Sequence, residues 1–252
     1  MGNVARGDSI PQVSGLPRYL EGARYNLQTG GFPVEVYSGY NGENDYRDDI
    51  NCRSHALNYL SGGSVYNPDT TGLNVPLELS FSFHSDAGYS VGDSIVGSLG
   101  IVTTDFECDT LAAGPSRCMS RDFVSYMLNN LQDDLYHGLG LKWQVRGILD
   151  RNYSESRIPC VPSVIFESLS HQNFEDLRYG LNPNFKFVLA RSLYKSLLKH
   201  IAYVHNERCV VQPLPVKNFS TRLSKDGEPL HRNAPSRQPP QKKSSRDTWY
   251  SP

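Results

Sequence analysis

The chain has 252 residues, enough for one α/β domain with a sizeable core or at most two small domains. Its composition, 38% apolar and 20% charged with 15 Tyr, excludes a collagen-like or wholly disordered protein. The net charge of −1 supplies no global basic field and so argues against a nucleic-acid partner, and no run of about 18 apolar residues suggests a transmembrane segment.

The opening, MGNVARGDSIPQVSG, lacks the apolar stretch of a signal peptide and reads as a linker over residues 1–16. Pro17 opens a first helical pattern, with Leu20, Arg24 and Leu27 at helical spacing and Gly30-Gly31 closing it. Val34, Val36 and Ser38 alternate as in a short strand. Asp45 is the expected N-cap of a second helix through Tyr46, Ile50, Leu57 and Leu60, ending at Gly62-Gly63. Leu77, Leu79, Phe81 and Phe83 alternate with polar residues, predicting a strand that ends at His84. Ile95 to Val102 predicts a second, buried strand. Val124, Leu128, Leu131 and Leu135 predict a helix from about 118 to 136. Val161 to Phe166 predicts a core strand ending at Glu167. Phe185, Leu189, Leu193, Leu197 and Ile201 predict a long helix after Asn182-Pro183.

Strands alternating with helices indicate an α/β domain, a mostly parallel sheet covered by helices on both faces, over residues 17–211. Residues 212–252 hold eight Lys/Arg against three Asp/Glu and seven of the sixteen prolines. This basic, Pro-rich stretch reads as extended or disordered, with a solvated linker favoured over contact with an anionic polymer. The five cysteines, at 52, 108, 118, 160 and 209, form no CxxC pair. They support neither a thiolate zinc knuckle nor a disulfide framework, and leave the compartment open.

Two strand ends carry the chemistry. FSFHSDAG delivers His84 and then Asp86 into a turn of small residues; PSVIFESLSHQN delivers Glu167, with His171 four residues on. Sites in open α/β sheets form at the carboxyl ends of strands. Alone, a His in such a place is more often a hydrogen-bonded loop residue, and a Glu a solvated charge. Together they suit metal-assisted hydrolysis, imidazole holding the cation and the carboxylate moving the proton. Asp86 either orients the His84 turn, caps it, or supports a ligand from outside. For His171 a structural hydrogen bond to the loop is favoured over metal binding. Arg151 and Arg157, in DRNYSESR, either bind substrate carboxylates or form surface salt bridges.

FSFHSDAG resembles the "SIHANA"-type strand of the zinc-dependent N-acetylmuramoyl-L-alanine amidases, and VPSVIFESLSHQNFEDL resembles their late "PAVLVE-GFLSN-E" segment. RDFVSYMLNNLQDDL and residues 45–60 stand where that family has its neighbouring helices, so the resemblance spans about residues 17–205. GLPRYLEGARYNLQ, NDYRDDIN, NYLSGGSVYNPDTTGLNVP, DRNYSESR and ESLSHQNFEDLRYG are similar to the amidase-type module of secreted multidomain proteins labelled xanthan lyase-like.

The resemblance implies that His84 is a zinc ligand and Glu167 the catalytic acid/base. It implies cleavage of the amide between muramic acid and L-alanine in peptidoglycan or a related cell-wall glycopeptide, and a location in the cell envelope or outside the cell. The family's first strand and helix, with its "DPGHGG"-type His and a helical Glu, have no match here. Two zinc ligands are thus missing, any zinc is expected to be weakly held, and the chain by itself is expected to show little or no amidase activity. Glu21 could be mistaken for one of them, but LPRYLEGARY better matches a later helix. Met1 is expected to start inside a longer architecture with an upstream domain, and VQPLPVKNFSTRL resembles the start of a fibronectin-like domain. Two alternatives stay open: a non-catalytic remnant that binds cell wall or polysaccharide, and a polysaccharide-active enzyme with aromatic residues stacked along a groove.

Overall fold

The computed structural model describes residues 22–87, 94–213, 221–223 and 229–231. The expected linker at 1–16, Pro17, Leu20 and Glu21 lie outside these. The described chain begins with helix α1 (Ala23–Thr29). Residues 34–38, expected as a strand, instead form a single helical turn, α2 (Val34–Tyr37). Pro33 precedes it, with a fixed φ that suits a helix start, and Ser38 N donates to the Val34 carbonyl at 2.8 Å. Of this short run only Val36 is buried apolar surface, too little to hold a strand against a sheet. Helix α3 (Asp45–Ser61) is capped by Asn44 rather than Asp45. Asn44 Oδ1 accepts from Arg47 N at 3.0 Å, and Asp45 and Asp48 fall in the first turn, where the helix dipole favours acids.

Four strands follow: β1 (Ser80–Asp86), β2 (Ser98–Val102), β3 (Val145–Asp150) and β4 (Ser163–Ser170). They form one sheet in the order β1-β4-β2-β3. The β1–β4 and β2–β3 pairs are parallel, and β4 meets β2 antiparallel, so the sheet is mostly parallel, as the alternating elements predicted. Boundaries differ from those read in the sequence. β1 starts three residues late and runs past His84; β4 continues past Glu167 to Ser170. β2 begins only at Ser98 because Gly97 adopts a positive φ of 78°. β3 was not expected at all.

Helices α4 (Cys118–Leu139) and α7 (Pro183–Val204) pack on one face of the sheet. Phe123, Met127, Leu131 and Leu135 of α4 meet Phe185, Leu189 and Leu193 of α7 over Val164 and Phe166, all buried in one core cluster. The spacing read in the sequence for both helices thus marks the faces that are buried. Strand residues alternate sides, so Ile165 points the other way and forms a smaller cluster with Leu99 and Ile101. On that side the one-turn helix α5 (Ser154–Arg157) lies against β4 and β2. Helix α6 (Phe174–Gly180) links β4 to α7. Among the described residues no strand covers the outer edge of β1. Beside that edge runs an apolar groove lined by Phe81, Phe83, Leu189, Leu193 and Leu197, with Phe83 55% exposed.

Cys209 and Val210 divide the chain into two units. In the second, β5 (Thr221–Leu223) pairs antiparallel with β6 (Pro229–His231). The rest of the expected Pro-rich tail, 214–220, 224–228 and 232–252, lies outside the described residues. No described helix is long and apolar enough to cross a membrane.

Candidate functional site

β4 is buried at every position but one, and the exception is Glu167. His84 is its direct partner across the parallel β1–β4 ladder. Residues opposed in register project to the same face, so the imidazole and carboxylate stand side by side on the face that carries α5. Both lie in the carboxyl-terminal half of their strands, where the β1 register shifts between His84 and Asp86. Ser168 Oγ donates to the His84 carbonyl at 2.8 Å and locks this register.

Glu167 Oε2 is buried without a hydrogen-bond partner among the described residues. Burial pushes the Glu167 carboxyl above its ordinary range; the charges of Asp86 and Glu155 add to the rise, and His84 and Arg146 oppose it. A carboxylate with a raised affinity for protons and a free oxygen is suited to take a proton from water and pass it on.

The structure adds two residues the sequence reading missed. Glu155, on α5, holds His84: Nε2 lies 2.8 Å from Glu155 Oε2. That hydrogen bond raises the His84 affinity for protons above the usual imidazole range, overcoming burial. Burial works against Glu155 ionising, but the bond from His84 and the charge of Arg53 outweigh it and keep its carboxyl below the ordinary range. Arg53 Nη1 donates to Glu155 Oε1 at 3.2 Å, and Arg53 Nη2 to Asp49 Oδ2 at 3.0 Å. Helix α3 also grips the α5 segment through polar side chains. Asn58 Nδ2 donates to the Ile158 carbonyl at 2.9 Å, and Asn58 Oδ1 accepts from Cys160 N at 2.9 Å. The second missed residue is Arg146 on β3, whose Nη1 lies 2.7 Å from Asp86 Oδ2. Its Nε and Nη2 are buried without partners among the described residues. Glu155 sits between Arg151 and Arg157 in DRNYSESR, and only the strand order brings Arg146 near Glu167.

The other sequence-predicted residues take different places. Asp86 pairs with Arg146 and accepts a hydrogen bond at its carbonyl from His171 N at 2.9 Å. His171 Nδ1 lies 3.2 Å from Ser85 Oγ and 3.1 Å from the Ser85 carbonyl, so the segment after β4 is tied to the end of β1 next to His84. Arg151 Nη1 donates to the Asp150 carbonyl at 3.0 Å. Arg157 Nη1 donates to Asn152 Oδ1 at 2.9 Å and its guanidinium lies over Phe106. Neither arginine bonds to His84 or Glu167 among the described residues.

The described residues do not fit the three-donor zinc site that the resemblance implies. His84 Nε2 is already taken by Glu155, and no group of three His, Cys, Asp or Glu among the described residues is placed to hold a metal ion. Glu21 lies outside them.

No protein-family model matches the chain, and no curated protein matches it. Solved structures similar to it include three amidases. For N-acetylmuramoyl-L-alanine amidase AmiC2 of Nostoc punctiforme the identity is 13% and the TM-score 0.38, over 49% of this chain and 57% of that one. For N-acetylmuramyl-L-alanine amidase Ami1 from Mycobacterium smegmatis the values are 16% and 0.43, over 62% and 61%. For the CwlD amidase from Clostridioides difficile, solved in complex with the GerS lipoprotein, they are 14% and 0.43, over 71% and 81%. The chain spans less than two thirds of the length of AmiC2 and Ami1.

Proposed function

We propose that this chain is an amidase-type hydrolase of cell-wall glycopeptide with an incomplete metal site, acting at the bond between the lactyl group of muramic acid and L-alanine. The observation that carries the reading is the register of His84 against Glu167 on adjacent parallel strands, with one Glu167 oxygen buried and unpartnered. In this reading Glu167 takes a proton from the attacking water. The water oxygen bonds to the carbonyl carbon, the carbon–nitrogen bond breaks, and Glu167 returns the proton to the departing amine. His84 stands beside the reacting centre, held from behind by Glu155. The resemblance of FSFHSDAG and VPSVIFESLSHQNFEDL to amidase segments supports the choice of substrate.

The test is release of stem peptide from purified peptidoglycan by the 252-residue chain, assayed with and without added zinc. The expected outcome is weak cleavage at the muramyl–alanine bond, because the described residues supply no three-donor metal set, and its loss in Glu167→Gln, since general acid–base catalysis is worth about 10²–10⁴-fold. No cleavage in either condition by a folded wild-type chain, or equal cleavage by the variant, overturns the proposal. Retained binding to peptidoglycan without cleavage would favour the wall-binding alternative, because the described residues lack a three-donor metal set.

A further inference from the structure

We propose that Glu155 is a positioning residue that fixes the His84 ring, leaving Nδ1 as the ring atom open to the reacting centre; this rests on the reading of His84 and Glu167 as a hydrolase site. His84 Nε2 and Glu155 Oε2 are 2.8 Å apart, and the two side chains are 31% and 14% exposed. Glu155 is itself pinned, its second oxygen taken by Arg53 at 3.2 Å, and Arg53 is pinned by Asp49 at 3.0 Å. Asp49 Oδ1 in turn accepts from the backbone N of Arg24 at 3.1 Å. This chain of charge-assisted bonds runs from helix α3 to strand β1. It fixes one end of the imidazole against a rigid helix, and the strand backbone fixes the other.

A carboxylate accepts and does not donate, so the nitrogen facing it carries the proton. The neutral ring therefore presents Nδ1 as its acceptor, and no described residue bonds to Nδ1. A His turned freely about its side-chain bonds would sample both nitrogens and several orientations. One held from behind meets its target in a single pose; for metal-bound histidines the loss of such an outer partner costs about 10–100-fold in metal affinity or activity, which sets the scale expected here.

The experiment has two arms on the full chain. The first is proton NMR of the ¹⁵N-histidine-labelled protein. The wild type is expected to show a low-field imidazole N–H, slow to exchange with water, that correlates with His84 Nε2. Glu155→Ala should abolish it, and Glu155→Gln, which keeps an acceptor oxygen with no charge, should move it to higher field. Absence of the resonance in wild type, or its persistence unchanged in both variants, overturns the orientation. The second arm is the peptidoglycan assay. Glu155→Ala is expected to lower kcat by about 10–100-fold with KM within about threefold, and Glu155→Gln to recover part of the loss. A variant that loses the resonance and keeps wild-type kcat overturns the positioning role. If the wild type cleaves nothing, the hydrolase reading falls and the positioning role with it, and the first arm still decides how His84 is held. Should Glu155→Ala fail to fold, the near-isosteric Glu155→Gln carries both readouts.

Discussion

Asp176 sits in the first turn of α6 and is fully buried. Among the described residues it has no side-chain cation partner; its oxygens accept from three backbone amides, Val96 and Gly97 at 2.9 Å and Ser170 at 2.8 Å. Its own N–H is taken by the capping Asn173 at 2.9 Å. One carboxylate thus ties the approach to β2, the end of β4 and the start of α6 at a single point. Backbone N–H groups buried without acceptors cost free energy. Asp176→Asn replaces one acceptor oxygen with an NH₂ group facing these donors. We expect it to cost on the order of 3 kcal/mol, measured as a fall in the urea midpoint with an unchanged slope. A variant within about 0.5 kcal/mol of wild type would show that water replaces the carboxylate without penalty.

The contact between β2 and α4 depends on a missing side chain. A Cβ added at Gly100 would overlap Val124 Cγ2, with Leu128 close behind. Val124 is fully buried and β-branched, so it has few rotamers into which to retreat. Gly100→Ala is expected to destabilise by about 1–3 kcal/mol through overpacking. Val124→Ala removes the opposing methyls, so in the double variant the two losses should sum to less than their separate values. Urea unfolding of the two single variants and the double checks this; strict additivity would mean that the helix moves away as a body.

Across the whole molecule, the pH dependence of stability contains opposing histidine contributions. His200 is buried against the ring of Phe123, with centroids 4.8 Å apart. Burial holds its affinity for protons below the ordinary value of 6.5, with Asp122 and Glu78 opposing. The folded chain keeps it neutral, and the unfolded chain protonates it first. Its contribution is therefore present above 6.5 and is lost as the pH falls through the lowered folded value. His84 runs the other way: its hydrogen bond to Glu155 raises its folded value, so its contribution is full below 6.5 and fades as the pH rises through the raised value. Replacing His200 by Phe should narrow the loss of stability between about pH 7.5 and 5.5, while leaving in place the alkaline limb to which His84 contributes. Denaturation midpoints across that range test it, and an acid limb identical in the variant would place the sensitivity elsewhere.

The long, periodic elements and the apolar strand carrying Glu167 were legible because their burial follows a local rhythm. The 4-3-4 spacing of α4 and the apolar run of β4 mark the buried surfaces themselves. β3 was not legible, because it is an edge strand with a positive-φ Gly147 and no cleanly alternating burial. Val34–Tyr37 misled because two apolar alternations fit a strand and a turn of helix equally until Pro33 and the absence of a neighbouring strand decide. For the site, the sequence alone put a His and a Glu late in two apolar strands, although each strand runs on past it. That they stand in register was decided by the insertion of β4 between β1 and β2. Glu155 and Arg146 reach the site only through that same order, from a one-turn helix and an edge strand whose local sequences mark neither as functional. The physical reason is that periodicity reports how each segment meets the core, whereas which segments become neighbours is set by the packing of the whole chain.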